Sequence, residues 1–173
     1  MPIHPDRNVR RMGRSLLKPL QFVVIMLFVL VAGVMWGTWL SLGRTVNQYD
    51  ATTFLADGKH MIDNLATIMA VLMIASLVTA LALVVLLFRA HSMTAGWFSL
   101  LGLLLMTAVL IITLAVEVPI DDLIRTWTEQ TLPPDWQEIR ARWAAFHTLR
   151  TFVSLGAVAA AVGAALTQTT YKN

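Results

Sequence analysis

Three stretches of this chain carry no charge over the length a membrane helix needs: residues 20–42, 65–88 and 93–116, at 23, 24 and 24 residues. A helix crossing the ~30 Å hydrocarbon layer takes about 20 apolar residues. A fourth uncharged stretch, 151–171, is rich in alanine and glycine. It reads as a span shielded by its neighbours and is placed at about 146–168. The first run is too long for the apolar part of a signal peptide and has no small-residue cleavage site, so it is expected to be a retained anchor. The expected fold is all-α: a single domain, 1–173, forming a four-transmembrane-helix bundle. A basic segment, 1–19, precedes it, and a loop, 117–135, joins the third and fourth spans.

The pattern changes character between 117 and 150, EVPIDDLIRTWTEQTLPPDWQEIRARWAAFHTLR. Pro119 is expected to break the third helix just after Glu117. Pro133 and Pro134 precede Asp135, and Asp135–Glu138 has the spacing of a capping box with Asp as the cap. The last helix should therefore start near Trp136, well before its lipid-embedded part. Run to Thr167, it would be ~48 Å long and would overshoot the membrane. At 100° per residue, Trp136, Arg140, Trp143, His147, Arg150 and Ser154 fall within one narrow arc. Ile139, Ala145, Phe146, Leu149 and Phe152 occupy the other side, and Arg142 lies off the stripe, solvated.

Two readings of that stripe stand side by side. As a structural seam, Arg140 and Arg150 would pair with Glu117, Asp121 or Asp122, and the tryptophans would join an interfacial belt. As a pocket wall, the same residues would face an interior, since an arginine near hydrocarbon is costly and usually faces a cavity. The wall reading places Trp136, Arg140, Trp143, His147 and Arg150 around one cavity, opposite His60, Asn64 and Glu117. Trp36, Trp39 and Trp127 belong to the same end, and Trp97 to the other. His60 and His147 are the histidines able to meet across the bundle. They form a weak candidate pair for haem or a metal ion, whereas His4 and His91 lie on the opposite side.

Composition narrows the classes further. Hydrophobic residues make up 57% and charged residues 13% of the chain, too little charge to coat a soluble domain. Without cysteine there are no disulfides, thiolate nucleophiles or Cys-ligated metals. The net charge of +3 arises before the first span, where Arg7, Arg10, Arg11, Arg14 and Lys18 face Asp6 alone. That placement suits anionic headgroups rather than nucleic acid, and orients both termini to the cytoplasmic side of an inner membrane. Gly33 and Gly37 form a GxxxG pair, and Gly156/Ala160 and Ala159/Gly163 repeat the small-residue spacing. These faces suit close helix packing, including a homo-oligomer. Glycines at 33, 37, 43 and 58 form no phosphate-binding loop.

The run VPIDDLIRTW, followed by LPPDWQEIRARWAAFHTLR, resembles the signature of the anthrone oxygenase-like family of small four-helix membrane proteins, most of whose bacterial members have no assigned function. The matching positions are Pro119, Trp136, Arg140, Arg142, Trp143, His147 and Arg150; Asp121 stands where the pattern has Asn. The resemblance implies an oxygenase for a lipophilic aromatic or quinone-like C–H acid that needs no cofactor. His147 would be the base, Arg140 and Arg150 the anion stabilisers, and Trp136 and Trp143 the walls. His60, Asn64, Glu117 and Asp121 would complete the ligand site. Two alternatives remain: a haem- or metal-binding redox protein using His60 and His147, and a non-catalytic bundle that binds lipid or a membrane partner.

Overall fold

The computed structural model describes residues 5–169, with side chains over 16–168. His4, Lys172 and the side chains of Arg7, Arg10, Arg11 and Arg14 lie outside the described part. Four helices, long and apolar enough to cross a membrane, form the bundle. Helix α1, Pro5–Thr38, ends in a π-helical turn, Trp39–Gly43, and a short 3-10 turn, Val46–Gln48. Helix α2 is Ala51–Arg89 and α3 is Met93–Ile112. A second π-turn, Thr113–Glu117, leads from α3 into the short α4, Val118–Thr126; α5, Trp136–Thr169, closes the bundle.

The last helix starts at Trp136 and runs unbroken, as its proline pair and cap spacing predict. Helix α2 starts earlier than its uncharged run suggests. Asp50 accepts a 2.8 Å bond from the Thr53 amide and caps the helix at Ala51. The Thr53 amide and side chain hold that carboxyl below its ordinary pKa. At 1.5 Å per residue, α2 and α5 are ~58 and ~51 Å long. Both therefore project beyond a ~30 Å hydrocarbon layer, at what is called here the distal end, opposite the tight 89–92 turn. In that turn His91 takes φ 59°, and the Ser92 amide bonds back to the Leu87 carbonyl. This is a Schellman-type stop on a residue other than glycine.

Pro119 does not break the third helix, contrary to the sequence expectation. It sits in the first turn of α4, where its missing N–H has no partner to lose. The widened π-turn before it absorbs the misfit its ring would otherwise impose on the preceding carbonyls. The connecting loop accordingly shrinks from 117–135 to 127–135.

Two apolar cores result. The proximal one joins Phe28, Val31, Met35, Leu83, Met106 and Ala157, with their neighbours, across all four spans. Gly102 allows α3 to approach α5: a Cβ there would lie 3.4 Å from the Ala157 carbonyl and 3.4 Å from the Phe28 ring. Gly163 accepts the Phe98 ring in the same way. Gly33 and Gly37, by contrast, have nothing within 4 Å of a Cβ, so this GxxxG is not used inside the bundle. The distal core joins Val46, Phe54, Ile62, Ile120, Ile124 and Trp143. Ile74, Val78, Leu104 and Leu166 stay exposed, as side chains facing lipid do.

Candidate functional site

Between the two cores lies a cavity of about 360 Å³. Its walls are apolar: Leu65, Met69 and Met73 of α2, Leu110 of α3, and Val34 and Met35 of α1. Its polar end is built by Asp121, Thr113, His147 and Arg150. The π-turn makes this end possible, because Thr113 opens it and Glu117 closes it.

Arg150 is the hub. One terminal nitrogen, Nη2, lies 2.8 Å from Glu117 Oε2 and donates to His147 Nδ1 at 3.0 Å. The other, Nη1, donates to the Thr113 hydroxyl at 3.1 Å. An arginine only donates, so His147 Nδ1 is the acceptor and its ring proton belongs on Nε2. The His147 ring stacks on Trp143, with centroids 5.0 Å apart and planes 9° from parallel. Glu117 is fully buried and His147 nearly so.

The cluster has more hydrogen-bonding capacity than it uses. Both Glu117 oxygens, Asp121 Oδ1, Arg150 Nε, His147 Nε2 and Trp143 Nε1 are buried without an aligned hydrogen bond. Buried polar atoms are rarely left this way, and here several gather near one cavity end. A second carboxyl group, Asp121, stands at the same cavity end as the Glu117–Arg150 pair.

The helical stripe divides in two. His147 and Arg150 reach the cavity, and Trp143 backs His147 against the distal core. Arg140 and Trp136 do not reach it. The Arg140 guanidinium donates to the Tyr49 carbonyl at 2.6 Å and the Asn47 carbonyl at 2.8 Å, and lies 4.6 Å from the Trp136 ring centroid. Trp136 stacks on Phe54. The pair fastens the α1–α2 connection, so the expected role of Arg140 as an anion stabiliser and of Trp136 as a cavity wall gives way to a structural one. The reason is helix length: α5 overshoots, which puts its first two turns against the 45–54 segment rather than in the bundle interior.

His60 and Asn64 are also removed from the site. Both are exposed on α2 and neither lines the cavity. His60 and buried His147 thus do not share a site, and the described residues hold no group of three or more His, Asp or Glu placed to bind a metal. The haem or metal alternative gains no support. Asp122 pairs with Arg125 at 3.7 Å, outside the cavity. Trp36 and Trp39 stack on each other and meet Phe152 edge to face, and Trp39 donates to the Thr148 hydroxyl.

Sequence reading missed Thr113, a lone hydroxyl in an apolar run, and four wall methionines, Met35, Met61, Met69 and Met73. Met61, Met69 and Met73 are spaced 8 and 4, a single helix face that periodicity could have revealed. Flexible thioethers suit a wall that adapts to a flat aromatic guest. Among known families, a model described as anthrone oxygenase matches residues 59–160, well over half of the chain and including the whole polar cluster. No curated protein and no solved structure matches the chain.

Proposed function

The chain belongs to the anthrone oxygenase family, and we propose that its cavity binds a lipophilic hydroxyaromatic C–H acid and oxidises it with dioxygen. The observation that carries this reading is the pairing of an apolar cavity with one polar end where a carboxylate oxygen, Asp121 Oδ1, is unpartnered beside Arg150. The Arg150 guanidinium is already paired with Glu117, and a second carboxyl group stands beside it, so the site offers a preformed anion no free cation. A neutral acid that leaves its proton behind fits better.

In this reaction a C–H bond of the ring methylene breaks and its proton passes to Asp121. Negative charge develops on the conjugated ring oxygen, where the Arg150 guanidinium stabilises it. The carbanion carbon gives its electron pair to dioxygen, forming a C–O bond and a peroxide. Asp121 returns its proton to the peroxide anion, and loss of water then leaves a C=O, so one methylene and one dioxygen yield one quinone carbonyl and one water. His147 holds Arg150 in place rather than acting as the base, because its Nδ1 lone pair is already engaged. Glu117 keeps the guanidinium charged and fixed. Desolvation by the apolar walls strengthens both contributions.

The basic N-terminal segment supports an inner-membrane orientation with both termini cytoplasmic and the polar cluster toward the outer face. The test is dioxygen uptake by the protein in lipid nanodiscs with 1,8-dihydroxyanthrone, before and after chelator treatment. The expected result is one dioxygen consumed per quinone formed, unchanged by the chelator. Uptake no faster than in empty nanodiscs would overturn the reading.

A further inference from the structure

The cavity is not closed on all sides, and the exposure of its lining shows where it opens. The α1 residues that line it, Val34, Met35 and Thr38, are buried or half-buried. On α2, Ala66, Ala70 and Ile74 line the cavity and are also exposed, Ile74 at 63%. Across from them Leu114 and Val118 do the same, at 59% and 39%. The opening therefore runs between α2 and the π-turn that joins α3 to α4. Ala66 and Ala70 are one turn apart, and their small side chains leave the gap wide. The π-turn sets the opposite edge, since its extra residue displaces the α3 face just where Leu114 and Val118 stand.

Depth fixes what lies outside that gap. Trp36 and Trp39 of α1 mark one interface and Lys18 the other, about one hydrocarbon thickness apart at 1.5 Å per residue. Thr38 and Val34 share the cavity with Ala66 and Ala70, so the gap lies within the apolar layer, near its distal boundary. Its rim is apolar throughout, whereas Asp121, Arg150 and His147 stand at the cavity's polar end.

We propose that the cavity is loaded sideways from the bilayer, through the mouth between α2 and the π-turn, by a molecule already dissolved in the hydrocarbon. Such a molecule keeps its polar group toward the distal interface and its apolar body in the layer. It slides in with its hydroxyl leading to Arg150 and Asp121, without crossing water and without turning over. The occupant's chemistry rests on the oxygenase reading above; the route does not.

The test is therefore independent of turnover. The chain has no cysteine, so a Met69→Cys or Met73→Cys variant places a single thiol on the cavity wall. Each is treated in nanodiscs with N-(1-pyrenyl)maleimide, which dissolves in lipid, and with a charged methanethiosulfonate, which does not. Val78→Cys reports access from lipid, and Thr52→Cys access from water. The pyrenyl reagent should modify the wall thiols faster than the charged one, and adding Ala70→Trp or Leu114→Trp at the mouth should slow it by about tenfold or more. Two wall positions guard against a variant that fails to fold. Faster modification by the charged reagent, no modification by either, or indifference to both mouth tryptophans would overturn the lateral route. A lateral route found in a protein without dioxygen uptake would leave this inference standing and sink only the oxygenase reading.

Discussion

Toward the termini, α3 and α5 approach through Gly102, Ala157, Ala160 and Gly163, with a backbone carbonyl and aromatic rings filling the space a Cβ would take. Toward the distal end α5 meets the π-turn after α3 through Arg150 and Glu117, with His147 and Trp143 stacked beside them. The proximal half is held mainly by shape, with Gln21 bridging α1 and α5 by donating to the Ala161 carbonyl at 2.9 Å and accepting from Gln168 at 3.1 Å. The distal half adds charge and hydrogen bonds to its own apolar core, around a space that shape does not fill. A close-packed end fixes the helix positions, and that rigidity lets the other end keep a cavity and buried ionic groups. The π-turn is the hinge between the two regimes, since it releases α3 from regular packing one turn before Glu117.

This comparison is sharpest at Arg150. Arg150→Met leaves Glu117 buried without a partner and should cost about 3–5 kcal/mol, read as a loss of thermal stability in detergent. The Glu117→Gln/Arg150→Met double variant should recover much of it. If the single variant melts like the parent, the distal half is not organised by this pair. Arg140→Ala removes two charge-assisted bonds to the Asn47 and Tyr49 carbonyls, worth roughly 1.5–3 kcal/mol each. Amide exchange should rise over 45–54 while catalysis per folded molecule stays unchanged. A fall in turnover number would return Arg140 to the site.

In the proximal half, Gly102→Leu forces extra carbon against Ala157 and Phe28 and should destabilise by about 1–3 kcal/mol. Gly33→Leu, on an open face, should stay within about 0.5 kcal/mol. Equal effects at the two glycines would erase the distinction between used and unused small-residue faces. The smallest effect belongs to His60→Ala, which should alter neither melting temperature nor turnover.

Much of the fold was legible because membrane insertion imposes a length and a composition that a sequence shows directly. The four spans and the start of α5 at Trp136 follow from uncharged runs and a capping box, while charge pairing left Glu117, Asp121 and Asp122 all open as partners of Arg150. The π-turn was hidden, because Pro119 signals a disturbed helix without revealing whether the chain bends, stops or widens. Helical spacing put Trp136 and Arg140 on the same face as His147 and Arg150. A face says nothing about depth, however, and two turns of overshoot moved the first pair out of the bundle. His60 and Asn64 failed for the converse reason: their neighbours Met61, Ile62 and Leu65 line the cavity, so the depth is right, but these two side chains are on the exposed face of α2. Asp121, expected as an arginine's partner or a ligand contact, lines the cavity with one oxygen lacking an aligned hydrogen bond, whereas the Nδ1 lone pair of His147 is taken by Arg150.

The central claim is that the polar end of the cavity takes a proton from a lipid-dissolved C–H acid, with Asp121 as the acceptor. Steady-state dioxygen uptake by Asp121→Asn in nanodiscs with 1,8-dihydroxyanthrone tests it most directly. The account predicts a kcat lower by about 10²-fold or more, with KM changed only a few-fold and the melting temperature retained. Turnover at the parent rate in a folded Asp121→Asn variant would contradict it.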